Sequence, residues 1–249
     1  MCRLLGWAAR SPRSLSDLVG ETDLADFTAL SRKHGDGWGV AWGSGDGLAV
    51  RKGTEAAYAS QEFADWTHAE RHDLGMVHLR WATLGLPVVP ANTHPFADRG
   101  MVFAHNGSVR PPAALDALLT AEQQAAMVGT TDSERYFRAV LAAAETVPVE
   151  QALAGTVTTI AEGMDFTSLN CLLLTPDTLY AACRFDPAQK DEGEDYFHLR
   201  YRVTDDAVVV ASTGWGTDWQ VLENGSMLAV RRDTLETSVV SLEDVLIRS

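Results

Sequence analysis

The stretch Leu169-Asn-Cys-Leu-Leu-Leu-Thr-Pro-Asp-Thr-Leu-Tyr-Ala-Ala-Cys183 reads as two strands, 169–174 and 178–183. Each is a short apolar run of the kind a buried strand carries. Downstream the chain keeps to strands, at 198–203, 207–211, 227–231 and 237–242. Upstream, helical patterns cluster. Residues 131–144 carry the strongest one, with Thr131 and Glu134 at capping-box spacing and Tyr136, Phe137, Val140 and Leu141 on one stripe. A second helix is expected at 151–162, and short helical pieces at 111–119 and 121–128. Nearer the start, strands are predicted at 3–8, 76–80 and 101–105, and helices at 14–19, 23–32 and 61–71. A hairpin pairs 38–42 with 48–52 through Gly43-Ser-Gly-Asp-Gly47. Strand runs with helices grouped between them predict an α+β fold with mostly antiparallel sheets. Regular βαβ alternation is absent, which argues against a doubly wound nucleotide-binding fold.

The chain has 249 residues, 46% hydrophobic and 22% charged, enough to bury a sizeable core and to exclude general disorder. No repeat or low-complexity linker divides it. The polar break at 186–195 reads as an acidic solvated loop, so 1–249 is expected to be a single domain. Asp and Glu number 34 against 20 Lys and Arg, a net charge of -14. That balance argues against nucleic-acid or anionic-membrane partners, which need a basic patch. No run reaches the roughly 18 apolar residues of a membrane span, and the N-terminus lacks a signal-peptide pattern, so a cytoplasmic location is expected. Three cysteines are too sparse for a disulfide framework. Cys171 and Cys183 lie in apolar runs and read as core thiols.

Cys2 directly follows the initiator Met. Removal of Met1 would leave a thiol and an α-amine on one residue. With unperturbed pKa values of about 8.5 and about 7.7–8, the neutral amine can accept the thiol proton. By itself, Cys2 is more simply a small residue opening a strand. Arg80, just beyond a strand, could grip a carboxylate through two parallel hydrogen bonds, although such an arginine is most often on the surface. Asn106 and Gly107 offer a side-chain NH2 and an unobstructed backbone N–H, the donors an oxyanion hole requires. The competing reading is a plain Asn-Gly turn after the 101–105 strand. Asp132, in the first turn of the strong helix, could hold an ammonium or simply complement the helix dipole. His34-Gly-Asp-Gly-Trp-Gly39 matches no phosphate-loop pattern and reads as a tight turn into a strand. His68 and His72 fall four apart on the 61–71 helix, but the His-Glu-x-x-His register of a zinc hydrolase is missing. No metal is expected.

Together, Met1-Cys2-Arg3, Asp36-Gly-Trp-Gly39, Arg80-Trp-Ala-Thr83, Asn92-Thr-His-Pro-Phe96, His105-Asn-Gly107 and Thr131-Asp-Ser-Glu134 resemble the motifs of the class II glutamine amidotransferases, N-terminal-nucleophile hydrolases. The order is the family's. The resemblance implies a four-layer αββα sandwich of two antiparallel sheets. It implies Cys2 as nucleophile with its α-amine as base, and Asn106 and Gly107 as oxyanion donors. Arg80 would bind the α-carboxylate of a glutamine or γ-glutamyl group and Asp132 its α-ammonium, with Thr83 and His94 helping to build the pocket. No cofactor is implied. The partner would be a small γ-glutamyl molecule, with a separate ammonia-accepting synthase or none; the oligomeric state stays open. Leu84 replaces the His that many members carry after Arg-x-Ala-Thr. Leu84-Gly-Leu-Pro87 is similar instead to the stand-alone branch that includes the γ-glutamyl amidohydrolase of ergothioneine biosynthesis. Ser212-Thr-Gly-Trp215 departs from the Ser-Glu-Pro common in that branch.

Overall fold

The computed structural model describes residues 2–82, 85–189, 196–215 and 218–247. Its strands are β1 (Arg3–Arg13), β2 (Trp38–Ser44), β3 (Gly47–Gly53), β4 (His72–Leu79), β5 (Phe96–Asp98), β6 (Met101–Arg110), β7 (Asp165–Leu174), β8 (Thr178–Cys183), β9 (Leu199–Val203), β10 (Ala207–Ala211), β11 (Gln220–Leu222), β12 (Ser226–Arg231) and β13 (Thr237–Ser241). Its α-helices are α1 (Leu15–Val19), α2 (Glu21–Ala29), α3 (Gln61–Ala69), α4 (Ala121–Ala125), α5 (Asp132–Ala143), α6 (Val149–Gly163) and α7 (Leu242–Ile247). The strands form a sheet ordered β11-β9-β10-β1-β4-β2-β3 and a second ordered β13-β12-β8-β7-β6-β5. Every pairing between them is antiparallel.

The period-2 alternation of each strand sends its side chains to two faces, and three buried layers follow. Leu5, Trp7 and Ala9 of β1 and Val77 and Leu79 of β4 meet α1–α3 on the outside of the first sheet, against Phe27, Phe63 and Trp66. Phe103 of β6 and Leu169, Cys171 and Leu173 of β7 meet α5–α7 on the outside of the second, against Tyr136, Phe137 and Val157. The intervening residues, Leu4, Met76, Ala104, Leu172 and Val210 among them, fill the space between the sheets. Each fully buried Leu or Met contributes about 1.5–3 kcal/mol. The result is a four-layer αββα sandwich, as the resemblance implied.

Several expectations are corrected. The helix expected at 61–71 ends at Ala69, and His72 begins β4. His68 and His72 therefore do not share a helix face: His68 meets Glu21 at 3.2 Å, while His72 stacks on Trp42. The strand expected at 101–105 runs on to Arg110, because β7 keeps pairing with it: Asn106 faces Asn170 and Gly107 faces Leu169. Asn106-Gly107 is thus not a turn. The Thr131 hydroxyl does accept from the Glu134 N–H at 3.1 Å. The Glu134 carboxylate, however, turns away to accept from the N–H groups of Val128 and Gly129, both at 2.7 Å. Among the described residues, no helix is long and apolar enough to cross a membrane.

Candidate active site

At one end of the space between the sheets the inward-facing residues change character. On β4 the inward series Leu74, Met76 continues to His78 and then Arg80. On β6, Val102 and Ala104 continue to Asn106; on β7, Leu174 and Leu172 continue to Asn170. Cys2 lies immediately before β1. Arg3 pairs with Leu79, so one further step in register sets Cys2 opposite Arg80. Strand alternation alone thus collects a thiol, a guanidinium, an imidazole and two amides at one mouth.

Cys2 is 9% exposed. Its Sγ accepts from the Trp81 N–H at 3.3 Å and lies 3.5 Å from the Trp81 carbonyl. Burial pushes the thiol pKa up. The Trp81 N–H and the Arg80 charge act in the opposite direction, and the Asp132 carboxylate adds to the rise. A thiol held neutral by burial needs a base to become a nucleophile.

Arg80 is nearly buried, and burial lowers its pKa from the ordinary value. Among the described residues its guanidinium donates to the carbonyls of Asp36 at 3.2 Å and Pro87 at 3.4 Å, fewer bonds than its five N–H groups can make. Asp36 fixes the backbone around it: its carboxylate accepts from the Ala82 N–H at 2.8 Å, and its own N–H donates to the Arg80 carbonyl at 3.1 Å. Trp38 is core and donates to Glu55 at 3.1 Å. Gly39 is required because a Cβ there would collide with the His94 carbonyl.

Asn106 is fully buried, yet among the described residues neither its Oδ1 nor its Nδ2 has a hydrogen-bond partner. Gly107 lies where a Cβ would strike the Ser168 carbonyl, so only glycine lets β6 approach β7 this closely. Asp132 opens α5. One of its oxygens accepts from the Val109 N–H at 2.8 Å, the other from the Ser133 N–H at 2.9 Å. The helix start is thereby tied to β6 three residues beyond Asn106.

His94 is buried behind the site, its ring 4.2 Å from that of His78 and 4.8 Å from Phe96. Burial drives both imidazoles to the neutral form, His78 to about 3 and His94 well below its ordinary value. Thr83 lies outside the described residues. Sequence reasoning gave no role to three groups that support this arrangement. The Trp81 backbone holds the sulfur. Asn92 links the segment after Arg80 to the approach to α5, donating to the Pro87 carbonyl at 3.3 Å and accepting from the Thr130 N–H at 2.9 Å. Asn170 accepts from the Arg184 N–H at 2.8 Å and donates to the Phe197 carbonyl. A lone amide inside the apolar run 169–174 was the available signal. Cys171 and Cys183 are buried free thiols, each pushed up to about 12 by burial.

Residues 1–245 match the family model described as class-II glutamine amidotransferases. A γ-glutamyl-hercynylcysteine sulfoxide hydrolase of Mycolicibacterium smegmatis is 32% identical over 118 residues, 44% of this chain and 52% of that protein. The protein of the same name from Mycobacterium tuberculosis CDC 1551 is 34% identical over 119 residues, 44% of this chain and 50% of its own. This chain therefore spans about half the length of these curated relatives. A putative glutamine amidotransferase of Haemophilus influenzae is 32% identical over 144 residues, 55% of this chain and 46% of that protein. Among solved structures, a glutamine aminotransferase class-II domain protein of Silicibacter pomeroyi superposes with a TM-score of 0.68 at 22% identity, covering 96% of this chain and 99% of that one. The glutamine phosphoribosylpyrophosphate amidotransferase of B. subtilis superposes at 0.67 and 16% identity, covering 97% of this chain and 49% of that one. At these identities the superpositions show a shared fold.

Proposed function

We propose that this chain, which belongs to the class II glutamine amidotransferases, is an amidohydrolase that cleaves the γ-amide of glutamine or of a γ-glutamyl conjugate through Cys2. The observation that carries the reading is the buried amide of Asn106, without a partner among the described residues, at the mouth where strand register also sets Cys2 and Arg80. Leaving such an amide unpaired costs about 1–3 kcal/mol, an unusual expense unless a ligand supplies the partner. We read residues 1–249 as one domain of this type.

In this mechanism Arg80 takes the α-carboxylate of the glutamyl head and Asp132 its α-ammonium, with His94 behind the pocket and Thr83 in the pocket role that the family resemblance implies. The head thus fixed sets the γ-carbonyl over Sγ. After loss of Met1, the α-amine of Cys2 accepts the thiol proton as sulfur bonds to the carbonyl carbon. The Asn106 Nδ2–H and the Gly107 N–H stabilise the oxyanion. On collapse the C–N bond breaks, and the proton passes from the α-ammonium to the departing ammonia or amine, leaving a γ-glutamyl thioester. Water, deprotonated by the same amine, then releases glutamate and restores the thiol. The hydrolase names of the relatives support a conjugate as substrate without a partner enzyme. The alternatives are a glutaminase serving a separate synthase, and a binding domain of the same fold.

Purified protein is to be assayed with glutamine and with a panel of γ-glutamyl amides. Cys2→Ala is expected to remove glutamate release while the protein still unfolds cooperatively. Residual turnover in that variant would sink the mechanism. Turnover by the lone chain favours the conjugate reading; activity that needs a second protein favours ammonia supply.

A further inference from the structure

Strand alternation turns His105 away from its neighbour Asn106 and toward the helices, where its buried ring meets Tyr136 edge-on, ring centres 5.3 Å apart. Both ring nitrogens are engaged. Nε2 lies 2.9 Å from the Ser168 carbonyl, and Nδ1 lies 2.9 Å from the Ser133 hydroxyl. That hydroxyl is also 3.4 Å from Oδ1 of Asp132, which already accepts the Ser133 N–H. The other Asp132 oxygen accepts from the Val109 N–H on the same strand as His105. A closed ring of hydrogen bonds thus brackets Asn106, Gly107 and Ser108 and fastens them to the start of α5. Of its members only Asp132 has a task in the proposed reaction.

The protons around this ring have one consistent arrangement. A carbonyl only accepts, so Nε2 carries a proton toward Ser168. Burial holds the imidazole below its ordinary pKa, against the Asp132 charge and the Ser168 carbonyl, so the ring is neutral and Nδ1 is an acceptor. The Ser133 hydroxyl then donates to Nδ1. Having a single proton, it cannot also donate to Asp132, and Oδ1 keeps its second accepting site. The opposite arrangement, with Ser133 donating to Asp132, would need protons on both ring nitrogens and so an imidazolium in a buried layer. We infer that His105 is a positioning residue: by drawing the Ser133 hydroxyl onto Nδ1, it keeps Oδ1 of Asp132 open for the α-ammonium of the substrate. The inference rests on the proposed amidohydrolase reading and adds the residue that sets how strongly the α-amine is recognised.

The test reads dependence on the α-amine. Glutamine and glutaramate differ only in that group, as do γ-L-glutamylmethylamide and N-methylglutaramate, so the kcat/KM ratio within each pair measures its recognition. A des-amino partner too slow to follow is scored as a competitive inhibitor. His105→Gln keeps an N–H for the Ser168 carbonyl but offers no acceptor in place of Nδ1. The Ser133 hydroxyl then turns to Asp132, and the ratio is expected to fall about 10-fold, through KM rather than kcat. His105→Asn, whose carbonyl oxygen stands in for Nδ1, should keep the ratio. Ser133→Ala added to His105→Gln should restore it, since no hydroxyl remains to occupy Oδ1. A merely structural His105 predicts the reverse: a double variant worse than the single one, with both members of each pair affected alike. A ratio unmoved by His105→Gln, or not restored by Ser133→Ala, overturns the inference while leaving the hydrolase intact. Long-range proton–nitrogen NMR reads the wild-type ring directly, should the variants fail to fold. A protonated Nε2 with a bare Nδ1 is expected; an imidazolium or the other tautomer overturns the inference. Turnover of no member of either pair by the wild type overturns the hydrolase reading, and the positioning role falls with it.

Discussion

Leu172 and Asn170 stand two residues apart on one face of β7, as do Ala104 and Asn106 on β6, and Met76 and His78 on β4. The first member of each pair lies in the apolar layer between the sheets; the second lies at its polar end. Asn106 is as fully buried as Leu172, yet its amide has no partner among the described residues, whereas the leucine is surrounded by hydrocarbon. The same backbone geometry therefore serves opposite ends. Contact across the layer stabilises the sandwich, and the continuation of the same rows past that contact presents reactive groups on rigid strands.

The comparison can be broken by exchanging the behaviour of the two regions. The largest effect is expected at the polar end. Asn106→Ala should lower kcat by about 10²–10³ with little change in the unfolding midpoint, since the lost amide has no partner among the described residues. A large fall in stability with kcat retained would make Asn106 a structural residue. In the apolar layer the pattern should invert. Leu172→Ala should cost about 2–5 kcal/mol in urea unfolding, while kcat per folded molecule stays near wild type.

A smaller effect sharpens the boundary between the regions. His78 and His94 are held neutral by burial, so the folded state binds fewer protons than the unfolded chain, whose histidines titrate near 6.5. Their contribution is complete above that value and is lost as pH falls through it toward about 3, where folded His78 titrates. Stability should fall on acidification by up to about 1.4 kcal/mol per pH unit for each histidine. Urea midpoints from pH about 7.5 to about 5.5 test this, and His78→Gln should flatten the slope. A slope unchanged by that substitution would place His78 outside the buried boundary.

Legibility in the sequence followed the same division. Thr178–Cys183 and Ala207–Ala211 were read with their observed ends, because an apolar run bounded by turn residues marks both strand and layer. The reading failed where strands leave the apolar layer. β6 was stopped at His105 since polarity looked like a strand end, although pairing with β7 continues through Asn106. The three-residue strands β5 and β11 and the short α7 carry too little pattern to be seen. Cys2, Arg80, Asn106 and Asp132 were singled out through the motifs that resemble the family, since each residue alone has a commoner structural reading. The Trp81 backbone contact with Cys2, spanning 79 positions, has no residue-type signature and needs the register of β1 on β4 to be found.

The central claim is that Cys2, freed of Met1, carries the glutamyl group. Rapid acid quench during turnover of a γ-glutamyl amide, followed by intact-mass and peptide mapping, reads it directly. The account predicts protein lacking Met1 and one γ-glutamyl increment confined to Cys2. Undiminished turnover by protein that retains Met1, or an increment on any other residue, would contradict it.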